Sequence, residues 1–131
     1  MKIKAKIQDI PSSINGLELS LKHIDNKSSE KSIEITIKNK SSIDYSFGKH
    51  FSIEKKIKNT WYYVPFESTV FEEDIALVIQ SNSQHTELLP LNVFKTTLTP
   101  GEYRVLIFFN PEEAESKVSS IQLAAPFRIE E

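Results

Sequence analysis

The side chains in this sequence that could support catalysis or metal binding are three histidines and two short acidic runs. The histidines are His23, His50 and His85, and none belongs to a metal-site pattern such as two histidines three or four residues apart on a helix. The acidic runs at residues 72–74 and 112–115 could attract calcium, but neither has the alternating ligands and the glycine of a calcium-binding loop. We therefore expect no metal site, and we interpret these groups as solvated charge.

Other catalytic and nucleic-acid-binding signatures are also missing from the sequence. It has no glycine-rich phosphate loop and no nucleophile elbow, and the absence of cysteine excludes disulfides and thiolate metal sites. Lys and Arg number 16 against 18 Asp and Glu, and only Arg104 and Arg128 are arginines, so no phosphate-binding surface is expected. These observations predict a protein that is not an enzyme and has neither a cofactor nor a nucleic-acid partner.

Apolar and polar residues alternate along almost the whole chain, which predicts β-strands with one buried face. The alternating sets begin at Ile3, Leu17, Ile33, Phe51, Leu89, Tyr103 and Ile121. Roughly eight or nine short strands separated by turn residues predict an all-β antiparallel sandwich, although periodicity equally allows an up-and-down barrel. The length fits a single domain over residues 1–131, with residues 1–10 as an N-terminal strand or arm.

Three local signals refine this prediction. The pair Asn59-Thr60 predicts a two-residue hairpin gap before Trp61. Pro90 lies within an apolar run and predicts an edge strand or a bulge. Asn110 and the proline and glutamates after it predict a single helical turn.

The stretch at residues 98–105 joins a rigid turn to an apolar strand. Pro100 presets the backbone at the second position of a turn, and Gly101 can adopt the positive φ that a type II turn requires at its third position. Tyr103 then enters the strand with its ring inward, and its buried hydroxyl needs an acceptor, most simply the backbone a few residues upstream. This pattern predicts a tyrosine corner. The alternative is an ordinary Pro-Gly turn followed by an unrelated tyrosine.

The aromatic run Trp61, Tyr62 and Tyr63 could form a stacking platform for a carbohydrate or a nucleic acid. Adjacent residues on a strand point to opposite faces, so at most one side of this run can form such a platform. Because large rings are usually buried, we expect Trp61 and Tyr63 to have a structural role in the core.

The strand after the corner is apolar on both faces, because Leu106 and Phe108 lie opposite the face of Tyr103. If they face solvent, they are candidate contacts for a partner. If they are covered, Phe66 or Phe71 from the preceding loop would be the cover, and we favour this interpretation. It predicts that Phe71→Ser lowers the melting temperature by several degrees, as a core truncation does.

Several segments together resemble a family of bacterial immunoglobulin-like domains. They are Tyr-Ser-Phe-Gly at residues 45–48, the tryptophan hairpin at 61–66 and Leu-Thr-Pro-Gly-Glu-Tyr-Arg-Val at 98–105. An asparagine-rich start at residues 39–41 and a closing strand at 123–129 also fit, so the likeness covers roughly residues 15 to 130. Each motif is weak by itself, and their order and spacing make the resemblance specific.

The resemblance implies an immunoglobulin-like antiparallel β-sandwich with Greek-key connections, as found in secreted and lipid-anchored proteins of Gram-positive bacteria, with no catalytic residues assigned. We therefore expect a non-catalytic interaction module, an accessory domain of a cell-envelope protein with an unidentified protein partner. A small ligand carrier with a barrel cavity and a cytoplasmic inhibitor protein remain alternatives. The sequence shows no signal peptide, transmembrane segment or lipobox cysteine, so an envelope or extracellular location is expected from the resemblance alone.

Overall fold

A computed structural model describes residues 3–25, 31–48, 51–65, 76–91, 98–112 and 120–130 of the chain. These residues form strands and no helix, which confirms the all-β class. None of the described segments is a helix with the length and apolar character needed to cross a bilayer. The strands are β1 (Ile3–Lys4), β2 (Ser13–Ile14), β3 (Leu17–Asp25), β4 (Ser32–Asn39), β5 (Tyr45–Gly48), β6 (Ser52–Ile57), β7 (Thr60–Tyr63), β8 (Ala76–Ile79), β9 (Ser83–Pro90), β10 (Gly101–Pro111) and β11 (Ile121–Ile129).

The larger of two antiparallel sheets is built around β10, the longest strand. β11 pairs with one edge of β10, from Gly101 opposite Ile129 to Phe109 opposite Ile121. The other edge of β10 pairs with β6 near its beginning and with β5 near its end. β7 and then β1 extend the sheet beyond β6, and β8 extends it beyond β5. We call the face of this sheet that points away from the smaller sheet the outer face.

The smaller sheet has the strand order β2, β3, β4, β9. The chain passes from it to the larger sheet between β4 and β5, returns between β8 and β9, and passes again between β9 and β10. Such crossings are those of a Greek-key sandwich rather than an up-and-down barrel, in which neighbouring strands follow one another. The predicted sandwich is therefore confirmed.

One core lies between the two sheets. Ile33, Ile35 and Ile37 of β4 are fully buried, whereas Glu34 and Lys38 between and after them are not. Branched side chains suit this pleated, half-buried surface. The same cluster contains Phe51, which precedes β6, and the inward residues of the larger sheet, Tyr45, Phe47, Ile53, Ile79, Tyr103, Val105, Ile107, Phe109, Ile121, Leu123, Ala125, Phe127 and Ile129.

β9 is an edge strand within the described part of the chain, because β4 is its one partner there. Pro90 ends this strand, in agreement with its predicted edge position. Two polar residues of β9, His85 and Glu87, take inward positions. The ring centre of His85 lies 6.0 Å from that of Phe47, and its Nε2 lies 3.4 Å from Glu87 Oε2. Polar groups pointing inward on an edge discourage pairing with another chain.

Two hairpins close with turns whose central residues both have positive φ. Asn15 and Gly16 have φ of 51° and 89°, and Lys58 and Asn59 have φ of 51° and 66°. Positive φ at both positions characterises the type I′ turn. The predicted gap was wrong by one residue, because Thr60 already belongs to β7. A β-branched threonine rarely adopts positive φ, so the turn is formed by Lys58 and Asn59 and Thr60 stays in the strand.

The helical turn predicted at Asn110 is wrong. Asn110 and Pro111 are the last residues of β10 and lie opposite Ser46 and Tyr45 of β5. The cap signal is worth only about 1 kcal/mol locally, and pairing with a neighbouring strand overrides it.

Candidate functional site: the outer face of the larger sheet

Tyr103 joins the segment before β10 to the core. It is buried, and its hydroxyl donates a hydrogen bond of 2.5 Å to the carbonyl oxygen of Thr99. Its ring stacks on Phe127 with 5.5 Å between the ring centres. Lys55 Nζ lies 5.4 Å from the centre of the Tyr103 ring and donates to Thr99 Oγ1 at 2.6 Å. A buried phenol bonded to backbone four residues upstream is the geometry of a tyrosine corner.

The turn before this tyrosine differs from the type II turn predicted from Pro100 and Gly101. Gly101 has a φ of 154°, whereas the third position of a type II turn has a φ near +80°. The difference arises because Gly101 already pairs with Ile129 as the first residue of β10. A Cβ at this glycine would lie 2.9 Å from Lys55 Cε, so any larger residue would displace that lysine.

Arg104 points to the outer face, yet only 3% of its surface is exposed. Its Nε donates to Glu54 Oε1 at 2.7 Å, and Nη2 lies 2.5 Å from the same oxygen. Nη1 donates to the carbonyl oxygen of Gln8 at 2.6 Å, and Nη2 to that of Ile7 at 2.8 Å. The guanidinium is therefore occupied by protein acceptors and presents no open fork for a carboxylate or phosphate ligand.

The carbonyls that accept from Arg104 belong to residues 5–12, which we call the strap. The strap begins at β7, where the Ala5 N–H donates to the Trp61 carbonyl at 3.0 Å, and it reaches β11, where Ala124 N–H donates to the Pro11 carbonyl at 2.9 Å. Between these ends, the Gln8 carboxamide accepts from the Trp61 N–H at 2.7 Å and donates to the Trp61 carbonyl at 3.1 Å. The strap thus crosses the outer face and is hydrogen-bonded to β7 at one end, to Arg104 of β10 in the middle and to β11 at the other end.

Trp61 and Tyr63 lie on the outer face and not in the core, so the predicted core position is wrong. Trp61 is half-buried, with Arg104 Cζ 4.5 Å and Lys56 Nζ 5.8 Å from the centre of a Trp61 ring. Tyr63 lies opposite the outward residue Glu54 and is 36% exposed. The alternation of side chains along a strand correctly placed both rings on one side of β7. The prediction failed because the smaller sheet, and with it the core, packs on the opposite side.

A groove of about 480 Å³ opens between the strap and β11. Trp61 and Pro126 form part of its walls, the strap residues Asp9 and Ser12 lie along it, and Arg104 closes one side. A second groove of about 390 Å³ shares Trp61 and Pro126 with the first. Both have the size of a small-ligand site. Sequence reasoning missed the grooves because no local pattern shows that residues 5–12 cross this sheet.

The two residues proposed as partner contacts have different surroundings. Leu106 is 2% exposed and lies between Ser52 of β6 and Ala124 of β11, so it cannot contact a partner. Phe108, two residues further along β10, is 60% exposed. Their proposed cover, Phe66 or Phe71, lies outside the described residues.

The titratable groups are dispersed over the described part of the chain. His23 and His85 lie in the smaller sheet, whereas His50 and the acidic run at residues 72–74 lie outside the described residues. No group of three or more histidine, cysteine or acidic side chains that could hold a metal occurs among the described residues. Burial raises the pKa of Tyr45, which lies in the core away from the grooves.

Comparison with models of known protein families gives a match over most of the chain. Residues 13–128 match a family described as a bacterial Ig-like domain, from β2 through nearly all of β11. No curated protein matches the chain.

Proposed function

The chain belongs to the bacterial Ig-like domain family, and from this membership we propose that it is a non-catalytic interaction module, an accessory domain of a bacterial cell-envelope protein. Its partner is a protein that binds the outer face of the larger sheet near Phe108. The proposal concerns recognition alone. It requires neither a cofactor nor a metal.

The exposure of Phe108 is the observation that carries this proposal. Exposing 60% of a phenylalanine on the face of a central strand costs solvation free energy in the isolated domain. Burial of this side chain against a partner would recover that free energy. Val78 of β8 is exposed on the same face. The outward residues nearby, Ser46 and Gln122, are uncharged, which fits an apolar contact with a polar rim.

Site-specific photo-crosslinking in the source bacterium tests this proposal. A photoreactive phenylalanine analogue at position 108 should give one dominant adduct with a protein. Leu88 provides the matched control, because it is 64% exposed on the smaller sheet, and the same analogue there should not give this adduct. Phe108→Ser should abolish binding of the identified partner without lowering the melting temperature. Identical adducts from both positions, or none from position 108, would contradict the proposal.

The envelope location is tested separately by cell fractionation. A tagged copy should appear in the envelope fraction and be degraded by protease added to spheroplasts. Recovery in the protease-resistant cytoplasmic fraction would favour the inhibitor alternative. The carrier alternative has no comparable support, because the inward faces of both sheets fill one continuous core.

A further inference from the structure

We propose that the groove between the strap and β11 is a carbohydrate-binding site in which Trp61 stacks on a sugar ring of a neutral glycan. This inference is independent of the protein contact proposed at Phe108, because it uses other residues and another kind of ligand.

Trp61 supplies the stacking surface. It is half-buried and lines the groove, so part of the indole remains accessible beside the Arg104 guanidinium. One face of a pyranose ring presents C–H groups, and these pack favourably on the negative face of an aromatic ring. The indole N–H also has no hydrogen-bond partner among the described residues, so it is available to a sugar hydroxyl.

The strap supplies hydrogen-bonding groups along the groove. Asp9 is exposed there and forms no ion pair or hydrogen bond with the rest of the described chain. The Ser12 hydroxyl donates to the Ala124 carbonyl at 2.7 Å, which leaves its oxygen able to accept. A carboxylate and a hydroxyl at the edge of an aromatic wall suit a ligand that carries several hydroxyl groups.

The charges favour a neutral glycan over an anionic one. Arg104 is occupied by Glu54 and by the strap carbonyls, and Arg128 next to the second groove pairs with Glu102 at 3.2 Å. Arg104 is therefore not open to a phosphate or a uronate, and the carboxylate of Asp9 would repel one. Arg128 lines the second groove and not this one. A proline-rich peptide fits less well, since such peptides dock between several aromatic ridges, whereas Trp61 is the one aromatic residue among the described residues that line this groove.

The groove is organised before any ligand arrives. Arg104 and the Gln8 carboxamide hold the strap against the sheet through four hydrogen bonds, and Glu54 fixes the Arg104 guanidinium in turn. A site that needs little ordering on binding loses less conformational entropy. The strap therefore explains how a shallow groove could retain useful affinity for a sugar.

Trp61 is the one tryptophan of the chain, so its fluorescence reports on this groove directly. Titration with cellobiose, maltose and N,N′-diacetylchitobiose should produce a saturable change in emission for at least one of them. By calorimetry, Asp9→Ala should raise the Kd of that sugar about 10-fold, which corresponds to about 1.4 kcal/mol. Glu112→Ala should leave the Kd unchanged, because Glu112 is an exposed carboxylate beyond the far end of β10. Trp61→Phe keeps a ring and removes the N–H, and it should weaken binding by a similar factor.

Three results would overturn the inference. The first is the absence of any emission change up to the solubility limit of all three sugars. The second is an equal loss of affinity in Asp9→Ala and Glu112→Ala, which would place binding elsewhere. The third is a response to a proline-rich decapeptide or to a hyaluronate tetrasaccharide with none to the neutral sugars. Failure of the crosslinking at Phe108 would leave this inference standing.

Discussion

The guanidinium carbon of Arg104 lies 4.5 Å from the centre of a Trp61 ring, with the strap fastened across both residues. This contact explains how a charged side chain can be almost fully buried on the outward side of a sheet. The indole covers the guanidinium, Glu54 balances its charge, and strap carbonyls accept from both of its terminal nitrogens. The outer face is thereby divided into a strapped region at Trp61 and an open region at Phe108.

Arg104→Met should destabilise the protein by about 3–5 kcal/mol, because the Glu54 carboxylate, whose side chain is only 12% exposed, would lose its partner and two strap carbonyls would lose their donor. Urea denaturation measures the loss. Arg128→Met is the control and should cost about 0–1 kcal/mol, since its ion pair is exposed to solvent. Adding Glu54→Leu to Arg104→Met should recover part of the stability. Equal effects of the two arginine substitutions would contradict a buried, fully paired Arg104.

Tyr103→Phe should cost roughly 1–3 kcal/mol, because the Thr99 carbonyl loses its donor inside the protein. Thr99→Ala preserves that carbonyl and removes only the hydroxyl that accepts from Lys55, so it should cost less. Denaturant titration of both variants compares the two contributions. A loss below a few tenths of a kcal/mol for Tyr103→Phe would count against the tyrosine corner.

The turn at Lys58 and Asn59 can be improved. Both residues have positive φ, and Asn-Gly is the pair best suited to such a turn. The double substitution Lys58→Asn with Asn59→Gly should therefore raise stability by about 0.5–1 kcal/mol, the relief of left-handed backbone strain less the entropy cost of glycine, visible as a higher melting temperature. The opposite sign is expected for Gly16→Ala, whose Cβ would lie 2.9 Å from the Ser41 nitrogen. A lower melting temperature for the double variant would argue against the type I′ geometry.

The protein should become less stable at alkaline pH because the buried Tyr45 hydroxyl resists ionisation in the folded state. Burial raises the pKa of Tyr45, so the folded state keeps its proton at a pH where the unfolded chain has lost it. The resulting stabilisation is fully present below the unfolded pKa of about 10, and it is lost as pH rises through the higher folded pKa. Unfolding free energies of the wild type and Tyr45→Phe, measured across this range, should differ in slope, with the steeper fall in the wild type. Parallel curves would show that Tyr45 does not contribute.

Much of the fold could be predicted from short-range patterns. The alternation at Ile33, Ile35 and Ile37 identified a buried strand face because a strand repeats every two residues. The hydroxyl of Tyr103 bonds to Thr99, only four residues upstream, so its partner lay within the same motif. The helical turn at Asn110 failed for the converse reason, because its partners on β5 are about 65 residues away in sequence.

The candidate sites depended on contacts between distant segments. Alternation placed Trp61 and Tyr63 on one side of their strand, and the packing of the smaller sheet decided that this side is not the core. Nothing near Arg104 in the chain predicted its burial, since its acceptors are Glu54 and carbonyls in the strap. The amino-acid order thus determined which residues share a face, because that depends only on backbone geometry. Only the tertiary structure decided which faces are covered and by what, because covering a face requires a segment that can be anywhere in the chain.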